Sequence, residues 1–189
     1  MKNMYLIIIE GTDNIGKDTL QNELLDKFET VSLIHCNSPK CKCFQSYEQD
    51  NLFLNYANNI INGAYDYTNC IIMNRSHYGE YVYGQLYRNR NAPDIISMID
   101  TVDNILLSRE DLKIKYIQLL SSSLTLRKKY DDKKSLSLMN EQKMEMENNY
   151  FLDIFNHSKL DKKLIYVNDH DDFRYKNDIF KEVIDFINN

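Results

Sequence analysis

Apolar residues in this chain fall into short unbroken runs, separated by longer stretches in which they recur every three or four positions. Short apolar runs are typical of buried strands, and the longer spacing is typical of helices that cover a sheet. The pattern predicts five strands, at Tyr5–Glu10, Val31–Cys36, Cys70–Asn74, Ile114–Leu120 and Lys163–Val167. It predicts helices at about 17–28, 47–67, 78–88, 94–108, 122–129, 141–157 and 176–188.

Strands that alternate with helices predict an α/β fold in which a five-stranded parallel sheet carries helices on both faces. Ligands of such folds bind beyond the carboxyl ends of the strands. The chain has 189 residues and shows neither a linker nor an internal repeat. We therefore expect one domain over residues 1–189.

The first predicted strand runs directly into a loop that begins and ends with glycine and is followed by lysine. Two glycines permit a tight loop, the next helix offers its positive N-terminal end, and the lysine adds a mobile charge, as a triphosphate requires. The pattern predicts an ATP-binding loop formed by Gly11, Asn14, Ile15, Gly16, Lys17, Asp18 and Thr19.

One position departs from this loop pattern, which asks for Ser or Thr directly after the lysine to place a hydroxyl on Mg²⁺. Here that residue is Asp18, and a hydroxyl returns one position later at Thr19. A triphosphate repels a carboxylate unless a cation lies between them. Asp18 therefore either binds magnesium or points away from the phosphates.

Charge and hydropathy exclude several partners. The net charge is −5 with no long block of one sign, which argues against the basic stripe of a nucleic-acid-binding protein. The chain shows no apolar run of membrane-spanning length and no signal-peptide pattern, so we expect a cytoplasmic protein without a membrane partner. The cysteines lack the paired spacing of a structural zinc site, so we expect reduced thiols at Cys36, Cys41, Cys43 and Cys70.

Three segments resemble the thymidylate kinase family. Ile9–Thr19 resembles the opening of these enzymes, and Asn74–Tyr83 resembles their Asp-Arg-Tyr motif, more closely the Asp-Arg-Ser version of viral and phage deoxynucleotide kinases. Leu126–Lys129 lies where the family has its lid, and the acidic helix Glu141–Glu147 follows. The resemblance implies a P-loop NTPase fold of the nucleoside monophosphate kinase type, with a short mobile lid at about 126–140, and a homodimer; for a viral protein the location would be the host cytoplasm.

The resemblance also implies roles for single residues. Lys17 would hold the ATP phosphates, and Asp13 would reach the 3′-hydroxyl of the acceptor. Arg75 would clamp the acceptor's monophosphate, a task that suits paired guanidinium donors. Tyr83 would lie against the 2′ position, and Arg127 would close over the transferring phosphoryl group. Structural alternatives are a backbone contact for Asp13, a surface ion pair for Arg75, core packing for Tyr83 and a solvated position for Arg127.

The sequence departs from the family's pattern at further positions. Asn74 replaces the aspartate that begins the Asp-Arg motif, and we hypothesise that Asp18 supplies the missing carboxylate to Mg²⁺. Asn14 stands where some members carry an arginine, so the lid would have to supply that charge. Gly79 replaces a serine that touches the base. Base selectivity therefore stays open, with Phe53 or Tyr56 as stacking candidates and Arg88 as a candidate for the base edge.

The residues at the end of the second strand indicate which kind of acceptor the protein phosphorylates. A nucleoside presents a neutral hydroxyl and needs a carboxylate there, but Ile34–Lys40 contains none. This favours Mg²⁺-dependent transfer from ATP to a deoxynucleoside monophosphate, and the resemblance implies dTMP as the acceptor. The alternatives are a deoxynucleoside kinase and a catalytically degenerate nucleotide-binding protein. An apolar helix stripe suits either a dimer face or the core, and consists of Ile95, Ile99, Val102 and Leu106.

Overall fold

A computed structural model describes residues 4–36, 45–130, 135–137 and 140–189. The strands are β1 Met4–Gly11, β2 Val31–His35, β3 Cys70–Asn74, β4 Leu112–Leu120, β5 Lys162–Tyr166, β6 Asn168–Asp169 and β7 Asp172–Phe173. The helices are α1 Lys17–Leu25, α2 Gln45–Ile61, α3 Tyr78–Arg88, α4 Ala92–Leu107, α5 Leu124–Lys129, α6 Glu141–His157 and α7 Lys176–Asn188.

The main sheet has five parallel strands in the order β2-β3-β1-β4-β5, which confirms the predicted fold class. β1 is central and pairs with β3 on one side and β4 on the other. Ile9 pairs with Asn74, and Gly11 pairs with Leu119. The residues that follow β1 and β3 therefore emerge side by side at the carboxyl edge of the sheet, although more than sixty positions separate Ile9 from Asn74.

Alternate residues of β1 point into two separate cores, because successive side chains of a strand face opposite ways. Leu6 and Ile8 pack in a core that includes residues of α2 and α4. Ile7 and Ile9 pack in a second core that includes residues of α1 and α7. This confirms that helices cover both faces.

The apolar stripe of α4 belongs to the first of these cores. Its members are at most 2% exposed, and they are Ile95, Ile99, Val102 and Leu106. The interpretation of this stripe as a dimer face is therefore wrong, because the chain's own sheet and helices already cover it.

Two local predictions needed correction. Helix α2 ends at Ile61 rather than near residue 67, because Gly63 takes a positive φ of 81° and turns the chain. A small antiparallel hairpin, β6–β7, was not predicted, since strands of two residues leave no periodicity to detect.

Some predictions concern residues beyond the described ranges. Cys41 and Cys43 lie there, as does part of the predicted lid, whereas Cys36 and Cys70 are buried free thiols. The described ranges contain no cluster of three His, Cys, Asp or Glu side chains able to hold a metal ion. Within the same ranges, every helix is too short or too polar to cross a membrane.

Candidate active site

The loop between β1 and α1 takes a shape that depends on its glycines. Gly11 has a φ of 151°, and a Cβ there would lie 2.4 Å from the carbonyl oxygen of Leu119 in β4. Gly16 has a φ of 94° and directly precedes α1. Both conformations strongly favour glycine, so the loop curls tightly and brings the N-terminus of α1 to the sheet edge.

Lys17, the first residue of α1, turns its side chain back over this loop. Its Nζ donates to the carbonyl oxygens of Gly11 at 3.0 Å and Thr12 at 2.6 Å, and the residue is 4% exposed. Burial lowers the pKa of Lys17 to about 8, and the charge of Arg75 acts in the same direction. The carboxylates of Asp13, Glu10 and Asp18 oppose that shift. The Lys17 ammonium therefore loses its proton near pH 8, well below the usual range for lysine.

An ion pair joins the loop to the turn after β3. Arg75 Nη2 donates to Asp13 Oδ1 at 2.8 Å, and the backbone N–H of Arg75 donates to the Ile9 carbonyl at 3.0 Å. Arg75 has a φ of 67°, a left-handed conformation that is unusual for a residue other than glycine. The structure thus brings together Lys17, Asp13 and Arg75 at one edge of the sheet.

Asp18 and Asn74 are also in contact. Asn74 Nδ2 donates to Asp18 Oδ1 at 2.6 Å and to Gln21 Oε1 at 2.9 Å. The other amide atom, Asn74 Oδ1, is buried and has no hydrogen-bond partner in the part of the chain that the structure describes. A carboxylate beside an unpartnered amide oxygen suits Mg²⁺, which takes one or two protein oxygens together with water and phosphate oxygens.

A solvent-open cavity of about 380 Å³ lies at this edge, between the turn after β3 and helices α2 and α3. Four residues predicted to contact an acceptor line it, namely Phe53, Arg75, Tyr83 and Arg88. Tyr83 is 9% exposed, and burial raises its pKa well above the usual range. Its hydroxyl has no hydrogen-bond partner within the described ranges. A buried donor without a partner beside a cavity is typical of a ligand-contacting group.

Sequence reasoning missed four polar residues of this cavity, which are Glu10, Gln49, Ser76 and Glu80. Glu80 is buried and fixes Arg88, whose Nη2 donates to Glu80 Oε2 at 2.5 Å. Gln49 is 6% exposed and lies four positions before Phe53 on α2. That spacing places both on one helix face and was a detectable signal.

Arg127 occupies a different setting. It is buried in α5, where Nη2 donates to Glu147 Oε2 at 2.5 Å and Nη1 donates to the Met144 carbonyl at 2.7 Å. The second carboxylate oxygen of Glu147 accepts from the Tyr87 hydroxyl at 2.7 Å. These bonds direct the guanidinium toward α6, and Arg127 is not among the residues that line the described cavity.

A second cleft, of about 620 Å³ and open to solvent, lies between α1, α7 and the β6–β7 hairpin. Its lining is mainly apolar and includes Ile15, Thr19 and Phe173. Arg174 lies at its margin, where Nη1 donates to the Tyr166 carbonyl at 2.8 Å. The cleft adjoins the glycine loop, because Gly16 also lines it.

Comparison with known proteins identifies the fold. No protein-family model matches the chain, and no curated protein matches it. The YorR protein of Bacillus subtilis, in complex with phosphorylated GDP, aligns with a TM-score of 0.66 at 14% identity over 97% of this chain and 95% of that chain. Thymidylate kinase from Candida albicans aligns at 0.59 and 16% identity, over 98% and 92%.

A third similar structure is deoxyadenosine kinase from M. mycoides, solved with dCMP and a flexible dCDP. It aligns with a TM-score of 0.52 and 17% identity over 97% of this chain and 98% of that chain. Likeness at this level of identity establishes the architecture. The chain has the P-loop kinase fold, of the type found in nucleoside monophosphate kinases.

Proposed function

We propose that the protein transfers the γ-phosphoryl group of ATP to a deoxynucleoside monophosphate, with dTMP as the acceptor, and forms the diphosphate. The observation that carries this proposal is the cavity lined by Arg75 and Tyr83, which adjoins the glycine loop and is joined to it by the Asp13–Arg75 ion pair. An ATP-binding protein without an acceptor has no need for a second cavity that presents an arginine beside its phosphate loop.

On the donor side, the loop amides and Lys17 hold the phosphates, since backbone N–H groups at a helix N-terminus favour anions. The apolar cleft beside Thr19 and Phe173 accommodates the base of ATP. Phosphoryl transfer depends mainly on position and charge neutralisation, so these groups supply what the donor requires.

On the acceptor side, Arg75 clamps the monophosphate, and its planar guanidinium suits a phosphate better than a lysine would. Tyr83 lies against the 2′ position of the sugar, and its unpartnered hydroxyl supplies a hydrogen bond there. Asp13 binds the 3′-hydroxyl while it orients Arg75. Phe53 stacks on the base, and Arg88 reaches the base edge from the position that Glu80 fixes.

Asp18 and Asn74 Oδ1 are the residues that would hold Mg²⁺. When bound, the ion neutralises charge on the donor phosphates. Asp18 thereby replaces the carboxylate that Asn74 lacks. The 2.6 Å hydrogen bond between the two side chains supports this hypothesis, because it places the Asp18 carboxylate beside the position where the family's carboxylate is missing.

Arg127 completes the proposed machinery as the lid charge that stabilises the transferring group. To act there it has to leave Glu147, so lid movement and breakage of the Arg127–Glu147 ion pair are one event. We further propose that the protein works as a cytoplasmic homodimer, whose interface does not involve the buried stripe of α4.

The test is ADP release from ATP and Mg²⁺ against a panel of deoxynucleosides and their 5′-monophosphates. Turnover with dTMP and little turnover with nucleosides is the expected result. Turnover with nucleosides alone would identify a deoxynucleoside kinase and overturn the proposal. ATP binding without turnover on any acceptor would identify a degenerate nucleotide-binding protein.

A further inference from the structure

We propose that Glu10 is a positioning residue that holds the donor loop and the acceptor clamp at a fixed separation; this inference rests on the function proposed above. Glu10 is the penultimate residue of β1 and directly precedes Gly11, the first residue of the loop. It is 1% exposed and lines the acceptor cavity. A buried carboxylate is costly unless it is fully hydrogen-bonded, so its partners indicate its role.

Those partners belong to the segment that follows Arg75. Glu10 Oε1 accepts from the Ser76 backbone N–H at 2.5 Å, from the Ser76 hydroxyl at 2.8 Å and from the Gly79 N–H at 3.2 Å. Gly79 is the second residue of α3, whose N-cap residue His77 makes no side-chain capping bond. A helix start needs acceptors for its first N–H groups and favours negative charge. Glu10, a residue of β1, therefore caps the N-terminus of α3.

This cap fixes the acceptor clamp from two sides. The N–H of Arg75 is held by Ile9, and the next residue, Ser76, is held by Glu10. Both anchors are consecutive residues of β1, so the left-handed backbone of Arg75 is tied to the strand that leads into the phosphate loop. The separation between Lys17 and Arg75 is thus set by a rigid strand rather than by two flexible side chains.

The charge of Glu10 has a second effect at the same place. Lys17 is buried and Arg75 is partly exposed; their charges repel each other, and the Glu10 carboxylate attracts both. A glutamine at this position keeps an acceptor oxygen for Ser76 but loses that attraction. A carboxylate therefore both caps the helix and lets two cations approach one another beside the site of transfer.

Because Glu10 lines the acceptor cavity, a role as general base for a 5′-hydroxyl is the rival interpretation. A base must offer a free oxygen to the proton that it removes. Oε1 already accepts three hydrogen bonds, so this oxygen is engaged by Ser76 and Gly79 rather than open to a substrate. These contacts favour the positioning role.

The experiment compares Glu10→Ala and Glu10→Gln with wild type, using ATP, Mg²⁺ and dTMP. We expect Glu10→Ala to raise the dTMP KM and lower kcat/KM by about tenfold to a hundredfold, since misplacement of a clamp by about 1 Å has effects of that size. The Kd for ATP should stay within a factor of about three, because the loop keeps its glycines and Lys17. Glu10→Gln should recover part of the loss, because its amide oxygen can still cap α3.

Asp103→Asn is the matched control, since Asp103 is an equally buried carboxylate that binds Tyr78 and His77 outside the cavity. It should lower Tm while the dTMP KM stays unchanged. A double variant of Glu10→Gln with Arg75→Ala should lose little more than Arg75→Ala alone, because both changes act through the same clamp. If Glu10→Ala proves insoluble, Glu10→Gln and Ser76→Ala carry the test.

Two results would overturn the inference: a fall in Tm with the dTMP KM unchanged, or losses that multiply fully in the double variant. Phosphorylation of deoxynucleosides that disappears in Glu10→Gln would instead identify a general base.

Calorimetric binding of dTMP separates this inference from the proposed function. If wild type binds dTMP without turnover, the proposed function fails, and weakened dTMP binding in Glu10→Gln still supports positioning. Absence of dTMP binding overturns both.

Discussion

Two arginine–carboxylate ion pairs, Arg75–Asp13 at the carboxyl edge of the sheet and Arg127–Glu147 between α5 and α6, differ in their access to solvent. The Arg75 side chain is 39% exposed and its partner Asp13 sits in the phosphate loop, whereas the Arg127 side chain is 5% exposed and its partner Glu147 is 3% exposed. The first pair borders an open cavity, and the second is enclosed between α5 and α6. The same kind of ion pair therefore leaves an arginine accessible to a ligand in one place and encloses it within the fold in the other.

The largest expected effect comes from removal of the exposed arginine. Arg75→Ala should lower kcat/KM for dTMP by about 10²–10³, as loss of a preorganised charged donor does in other enzymes. Its effect on Tm should be small, because a solvated ion pair contributes little to stability. Steady-state kinetics and thermal unfolding measure both. A large fall in Tm without a kinetic defect would mean that Arg75 contributes to stability rather than to binding of the acceptor.

The enclosed arginine should show the opposite profile. Arg127→Ala should lower the free energy of unfolding by about 3–5 kcal/mol, because it leaves Glu147 buried without its cation. Denaturant unfolding measures this loss. Glu147→Gln is the matched variant, since it weakens the same pair but keeps the guanidinium. If Arg127 also serves as the lid charge, kcat should fall much further in Arg127→Ala than in Glu147→Gln; equal kcat values would exclude that role.

A smaller effect tests the hypothesis that Asp18 and Asn74 hold Mg²⁺. Asp18→Ala should raise the Mg²⁺ concentration needed for half-maximal turnover far more than Asn74→Ala does, because a carboxylate contributes charge and an amide does not. Turnover measured over a Mg²⁺ titration gives the comparison. Equal activity of Asp18→Ala and wild type at limiting Mg²⁺ would contradict the hypothesis.

The smallest expected effect is a pH dependence of ATP binding. Burial lowers the pKa of Lys17 from 10.5 to about 8, so the free protein loses this charge as the pH rises through about 8. A bound triphosphate favours the ammonium and raises its pKa again, so ATP affinity should fall above about pH 8 and binding should take up a proton there. For folding the sign is the reverse: burial of the ammonium costs stability below about pH 8, and the cost disappears by about pH 10.5.

Calorimetry in two buffers of different ionisation enthalpy measures the proton uptake directly. Lys181→Ala is the control, because this exposed lysine of α7 lies outside the site and should leave the uptake unchanged. An ATP affinity that is constant between about pH 7 and 9 would show that Lys17 keeps an ordinary pKa.

The sequence of apolar and polar residues along the chain was sufficient to predict most of the fold. Buried strands such as Cys70–Asn74 are short apolar runs, and a glycine loop followed by Lys17 can be recognised because its backbone demands specific residues at a specific spacing. The five-stranded parallel sheet followed from that order. The hairpin β6–β7 could not be predicted, since two residues per strand carry no repeat.

Contacts across the sheet edge were decided by the tertiary structure. The sequence identifies Asp13, Arg75, Asp18 and Asn74 as unusual polar residues, but only the pairing of β1 with β3 places them within hydrogen-bond distance of one another. Arg127 shows the same dependence, because Leu126 and Lys128 flank it in the sequence while its partner Glu147 comes from the next helix. The periodicity and spacing of residues predict the local structure of each segment. Burial, charge pairing and access to a cavity depend on which segments contact one another in the folded chain.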